Sequence, residues 1–221
     1  MDGLIFDFDG VVVDSEPIHL ACFDGVLREK LGLRLPRDQY YSRFLGYDDR
    51  DCFAMILRDL GRESRDRVEQ LIQAKTRRVQ EAFQDHLAPM AGAIELIRAA
   101  AAEHVPLAIC SGSYAVEINL ALDRLGVKQL FNAMVTAEDV ARGKPDPEGY
   151  LLVLKQLGNG RGKPIEARRS WVIEDSPAGI AAAKAAGLRV LAVTNSYDAP
   201  VLCAADRVVE SLAAVRLRDF C

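Results

Sequence analysis

Several classes of protein are set aside by what this chain lacks. No stretch of about 18 consecutive apolar residues occurs in its 221 residues, so no membrane span is expected. The apolar start is interrupted by Asp2, Asp7, Asp9 and Asp14, unlike a signal peptide. Cysteine is sparse: Cys22, Cys52, Cys110, Cys203 and Cys221 are odd in number and widely spaced, with no Cys-x-x-Cys pair. Neither a disulfide framework nor a zinc site is expected, and reduced thiols in a cytoplasmic protein are the simplest reading. There is no excess of positive charge. A net charge of -4 gives no electrostatic reason to expect nucleic acid or an anionic membrane as partner. Any anionic substrate must therefore meet local cations or a bound metal. Internal repeats and low-complexity tracts are also missing.

What is present is apolar material, half of all residues, enough for one large domain or a domain with a smaller insert. Leu4-Ile5-Phe6 reads as a buried strand that runs out into acids and Gly10. Residues 15–86 change texture: they are rich in Arg, Glu, Asp and Gln, with helical spacing in Leu20, Phe23, Leu27, Leu31 and in Phe53, Ile56, Leu57, Leu60. After Pro89 helices and strands alternate. Helices are expected at 91–103, at 116–125 capped by Gly126, from about Pro147, and at 178–186 behind Ser176-Pro177 and ended by Gly187. Strands are expected at 105–109, 133–136, 170–173, 188–193 and 207–209. The fold class that follows is α/β, a doubly wound parallel sheet with an inserted all-α cap. Residues 1–14 and 87–221 would form the core, and 15–86 the cap.

Reactive groups in open α/β sheets gather at the C-terminal strand ends. Four such places carry complementary polar residues: Asp7-Phe8-Asp9, Cys110-Ser111, Lys144 between Gly143 and Pro145, and Glu174-Asp175. Asp7, Glu174 and Asp175 can offer hard oxygen ligands to magnesium, and Lys144 with that metal would make the crowded acids tolerable. A carboxylate such as Asp7 can attack phosphorus directly. Two residues on, Asp9 would share its side of an extended strand and could protonate a leaving oxygen. Ser111, its loop amides and the following helix N-terminus suit a phosphoryl oxygen.

These stretches, Asp7-Phe8-Asp9-Gly10-Val11-Val12-Val13-Asp14-Ser15-Glu16, Ser111-Gly112-Ser113, Gly143-Lys144-Pro145-Asp146-Pro147 and Glu174-Asp175-Ser176-Pro177-Ala178-Gly179, resemble in kind and order the haloacid dehalogenase superfamily. The similarity is to the branch with a helical cap, which includes β-phosphoglucomutase and many sugar phosphatases. The resemblance implies Asp7 as nucleophile and metal ligand, and Asp9 as acid/base that binds Mg2+ through its carbonyl. It implies Ser111 and Lys144 as holders of the transferring phosphoryl group within the Gly112 loop, and Glu174 and Asp175 as the remaining metal ligands. In the cap it points to His19, Arg50 and Lys75 as substrate-side residues, against the competing reading of each as an ordinary helix-surface charge. Ser176 is read as a helix cap without chemistry.

By the same resemblance Asp9 argues against a dehalogenase, whose leaving halide needs no proton. Ser15-Glu16-Pro17, where the mutases have Thr-Ala after the hinge aspartate, and Ala115, where they carry an asparagine, favour a phosphatase. His19, Arg50 and Lys75 keep a phosphosugar mutase in play. The expectation is a magnesium-dependent phosphatase of a small phosphorylated metabolite, a sugar or sugar-acid phosphate, working through an aspartyl-phosphate as a cytoplasmic monomer. A phosphosugar-binding protein without turnover is the reading from a different class, which the presence of both Asp7 and Asp9 disfavours.

Overall fold

Six parallel strands form the sheet: β1 (Gly3–Phe6), β2 (Leu107–Cys110), β3 (Ala133–Val135), β4 (Ser170–Glu174), β5 (Arg189–Val193) and β6 (Arg207–Val209), in the order 3-2-1-4-5-6. The structure is a computed structural model. It describes all residues except Gly46, Lys163 and Cys221, together with the side chains of His86 and Arg161, which lie outside the described residues. Among the described residues the helices are α1 (Glu16–Leu31), α2 (Arg37–Arg43), α3 (Asp49–Asp59), α4 (Arg65–His86), α5 (Ala93–Ala102), α6 (Ala115–Leu125), α7 (Glu148–Arg161) and α8 (Pro177–Ala185). None of them is long and apolar enough to cross a membrane. The four described cysteines are free thiols.

The period-two pattern of the strands divides the core. Leu4, Phe6, Ile109, Trp171 and Ile173 face one side with α5 and α6, while Ile5, Ala108, Cys110, Val172 and Val190 face the other with α7 and α8. Both faces are covered, as an all-parallel sheet requires. The order reverses between β1 and β4, so these two central strands deliver their C-terminal residues to one crevice.

Helices α1–α4 enclose a third apolar cluster in which Phe23 stacks on Phe53 with ring centroids 4.4 Å apart. This block is not detached from the sheet. Leu71, Ile72 and Ala74 of α4 belong to the helical cluster, whereas Val79 and Phe83, two turns on, belong with Leu96 and Ile118 to the sheet's own core.

Several boundaries differ from the sequence reading. The second strand runs over Leu107–Cys110 rather than 105–109, and α8 ends at Ala185 while Gly187 adopts φ +78° beyond it. Strand β1 stops at Phe6, so Asp7 and Asp9 lie in the loop after it, where strand alternation no longer aims them.

Candidate active site

Asp7 follows β1 directly, and its N–H donates to Ile173 O at 2.9 Å, which carries it over the end of β4. Lys144 Nζ donates to Asp7 Oδ1 and to Glu174 Oε1, each at 2.6 Å. Glu174, the last residue of β4, is fully buried. Its Oε1 also accepts from the Tyr150 hydroxyl at 2.8 Å; Oε2 accepts from the Asp175 and Ser176 N–H groups and the Ser176 hydroxyl, at 3.0, 3.2 and 3.0 Å. Burial works against the charge on Glu174, but Lys144 and these donors more than offset it and hold its pKa low. Ser176 also caps α8, accepting from the Gly179 N–H at 3.1 Å, so it does more than the capping expected of it.

The neighbouring acids move the other way. Burial, opposed by Lys144 and reinforced by Glu174 and Asp9, pushes the Asp7 carboxyl up to about 7. Burial and the charges of Asp7 and Glu174 lift Asp175 well above the carboxylate range, although Ser196 donates to Asp175 Oδ2. One oxygen from each of Asp7, Glu174 and Asp175 lies within 4.8 Å of the others. Once all three carboxylates are ionised, as a bound cation would require, they leave two negative charges beside the one ammonium, the charge of one divalent cation, on hard oxygen donors; the residues fit Mg2+.

Asp9 does not join that cluster. Its carboxylate turns toward the helical block, where Oδ1 accepts from the Ser15 hydroxyl and lies 3.0 Å from His19 Nε2, and Oδ2 accepts from the Ser113 hydroxyl. Despite burial, His19 and these hydroxyls hold the Asp9 carboxyl far below the usual range. Any metal contact from Asp9 would have to come from its backbone, as the sequence reading had it.

Behind His19 the chain of contacts continues. Lys75 Nζ lies 2.9 Å from His19 Nδ1 and pairs with Asp49 Oδ1, and both His19 and Lys75 are buried. An ammonium only donates, so when the ring is neutral Nδ1 is the acceptor and the proton sits on Nε2, facing Asp9. Burial and Lys75 lower the His19 pKa and Asp9 raises it, with the net direction upward. Neither His19 nor Lys75 is the solvated surface charge of the competing reading.

Glu117, in the first turn of α6, is also buried, and its Oε1 has no partner among the described residues. Burial pushes its carboxyl up to about 7, while the charges of His19 and Lys75 pull against that shift.

Asp7, Asp9, His19, Lys75, Ser111, Gly112, Lys144 and Asp175 line one cleft of about 100 Å³ between the strand ends and the helical block; Glu174 lies behind Lys144. Ser111 Oγ accepts from the Ser113 N–H at 2.9 Å, fixing the loop. Arg50 is the exception to the sequence reading. Helix α3 begins at Asp49 behind the cap residue Asp48, which turns both acids toward the cleft and Arg50 away from it. Arg50 pairs with Glu69 at 3.2 Å with its side chain 55% exposed. Ser113, Asp49, Tyr150, Ser196 and Glu117 were not given roles from sequence. Only Ser113 carried a local signal, standing two residues after Ser111 ahead of a helix N-terminus.

The chain is a hydrolase by family: it belongs to the haloacid dehalogenase-like hydrolases through a match over residues 4–193. It is 32% identical over 215 residues to a validoxylamine A 7'-phosphate phosphatase of Streptomyces hygroscopicus subsp. limoneus, covering 96% of this chain and 94% of that one. It is 30% identical over 199 residues to a phosphorylated carbohydrates phosphatase of Thermotoga maritima, covering 90% and 88%. The fold is also that of a CbbY from Rhodobacter sphaeroides crystallised with xylulose-(1,5)bisphosphate, with a TM-score of 0.86, 24% identity, and 97% and 96% of the two chains covered.

Proposed function

We propose that the protein is a magnesium-dependent phosphatase of a small phosphorylated sugar or sugar-like metabolite, with Asp7 as nucleophile. One observation carries the reading: a buried carboxylate at the end of the central strand, held at 2.6 Å by Lys144, facing the cleft beside two further acids. The two phosphatase relatives, matched over most of their length, support the same class.

An Asp7 oxygen attacks phosphorus, the bond to the leaving oxygen breaks, and an aspartyl-phosphate forms. Lys144 and the Ser111–Gly112 loop neutralise and orient the phosphoryl oxygens. Asp7, Asp175 and Glu174, with the Asp9 backbone, would hold Mg2+, which when bound supplies a Lewis acid that lets two anions meet. The leaving oxygen takes its proton from Asp9. The phosphate's negative charge raises that group's proton affinity, and the His19 Nε2–H lies against it. In the second half a water attacks the acyl phosphate, Asp9 accepts its proton, and Asp7 is regenerated as phosphate leaves. The Asp49–Lys75–His19 chain from the helical block reaches Asp9 itself, so we assign residues 15–86 as a cap whose closure completes the acid/base machinery.

The mutase reading shares the first half and differs in the acceptor. The deciding experiment is phosphate release from a panel of phosphate monoesters with magnesium, beside a test for interconversion of β-glucose 1-phosphate and glucose 6-phosphate. Release without interconversion is expected, and Asp7→Asn should abolish it while the chain stays folded. Interconversion without net release would select the mutase instead.

A further inference from the structure

Resting on the phosphatase reading, we infer that this cleft selects substrates with a single anionic group: the leaving part is an uncharged polyol or carries an amine, and a second phosphate or a carboxylate is rejected.

The cations account for this. At the floor, Lys144 is engaged by Asp7 and Glu174 and belongs to the transferring phosphoryl group. Toward the cap, the other lysine lining the cleft is Lys75, whose side chain is 4% exposed and committed to Asp49 and His19. Arg50, the residue that could have met a distal anion, does not line the cleft and is engaged by Glu69 and by the Tyr114 hydroxyl. No uncommitted Lys or Arg therefore faces the leaving-group end among the described residues.

Acids and hydroxyls occupy that end instead. Glu16, at the start of α1, lines it with its Oε2 accepting from the Tyr40 hydroxyl at 2.9 Å. Asp48 lines it from the start of α3, with Oδ1 taken by the Asp51 N–H at 2.8 Å, and Oδ2 so close to the Gly143 loop that a Cβ there would lie 2.8 Å from it. Burial already disfavours the charge on both groups; a second anion would disfavour it further, whereas a hydroxyl donor or a protonated amine stabilises the ionised carboxylate. Carboxylates accept from vicinal hydroxyls and pair with an ammonium; toward a phosphate or carboxylate they are repulsive, and repulsion of this kind sets specificity. A bisphosphate such as the one bound by the structurally similar CbbY would bring its second phosphate against Glu16 and Asp48.

The test is competition against p-nitrophenyl phosphate turnover with magnesium, which gives an inhibition constant for each compound whether or not it is itself cleaved. Matched skeletons are compared: glucose 6-phosphate, glucosamine 6-phosphate, 6-phosphogluconate and glucose 1,6-bisphosphate, then glycerol 3-phosphate with 3-phosphoglycerate. Each added anion should weaken binding by at least about tenfold, and the amine should bind at least as well as the alcohol. Raising the salt concentration should narrow the gap in the unmodified enzyme. Glu16→Gln with Asp48→Asn should narrow it too, whereas Arg50→Ala should not change it. Equal or tighter binding of the doubly anionic compounds, or a salt-independent gap, overturns the inference. Absence of any magnesium-dependent release from p-nitrophenyl phosphate overturns the phosphatase reading instead, so the two failures are distinct.

Discussion

Gly179 and Glu174 are in van der Waals contact across the start of α8: a Cβ on Gly179 would lie 1.7 Å from Glu174 Oε1 and 2.3 Å from Oε2. Glycine is needed there for space, since its φ is not in the left-handed region. Gly179→Ala must therefore displace the carboxylate that anchors Lys144 and borders the proposed metal site. Magnesium affinity and kcat/KM are expected to fall by roughly 10- to 100-fold, as when the supports of a metal site are disturbed. Calorimetric titration with Mg2+ and steady-state kinetics measure both; unchanged magnesium affinity would detach Glu174 from the metal site.

Lys75→Met should cost both stability and turnover. The substitution keeps most of the side-chain volume but leaves Asp49 without its buried partner and His19 Nδ1 without its donor. Breaking a buried pair from one side costs about 3–5 kcal/mol. The catalytic loss should appear in kcat more than in KM, because what is lost is the orientation of the imidazole that faces Asp9. Chemical denaturation and full kinetic profiles separate the two effects.

Glu117 makes stability pH-dependent. Its carboxyl is raised from 4.5 to about 7 in the folded chain, so between those values the folded state binds more protons than the unfolded state. Stability then falls as pH rises from about 4.5 to 7. The contribution is on the order of 3 kcal/mol by pH 7.5. Glu117→Gln removes it, so the variant should gain on the unmodified protein progressively between pH 5 and 7.5. Thermal melts of both proteins across that range check the sign, and a constant difference would contradict it.

Magnesium should stabilise the protein more at pH 8 than at pH 6. Asp7 and Asp175 are held protonated toward neutral pH by burial and mutual repulsion, and a cation must displace those protons. Addition of Mg2+ at a hundredfold excess over its dissociation constant raises stability by about 2.7 kcal/mol. The rise in melting temperature should shrink as pH drops below about 7 and vanish with EDTA.

Asp7, Ser111, Lys144, Glu174 and Asp175 could be placed together from sequence because parallel strands send their C-terminal residues to one edge, whatever else the chain does. Asp9 was placed near Asp7 by strand alternation, yet β1 ends at Phe6 and the loop turns the carboxylate toward Ser15, His19 and Ser113. Arg50 does not line the cleft because a single residue of helix phase, about 100° of rotation, separates it from Asp49. The helix start at Asp48 that fixes this phase was not visible in the string. Glu117 reads locally as an ordinary acid in a helix's first turn. Its burial comes from α4, more than thirty residues earlier in the chain, and no local pattern reports that.

The position of β1 bears on how the chain reaches this state. The earliest strand of this sheet in sequence is a central one: Leu4 pairs with Leu107 on one side and with Trp171 on the other. Until those distant segments exist, Leu4-Ile5-Phe6 is an adhesive apolar stub with nothing to pair with. The buried members of the cluster around Phe23 and Phe53 all come from one stretch, residues 23–74, which is the part able to gather early. Such dependence on non-local pairing slows folding and prolongs exposure of the stub. Asp7, the proposed nucleophile and next in line after Phe6, is then among the last groups to find its surroundings, so the site is complete only when the whole sheet has closed around it.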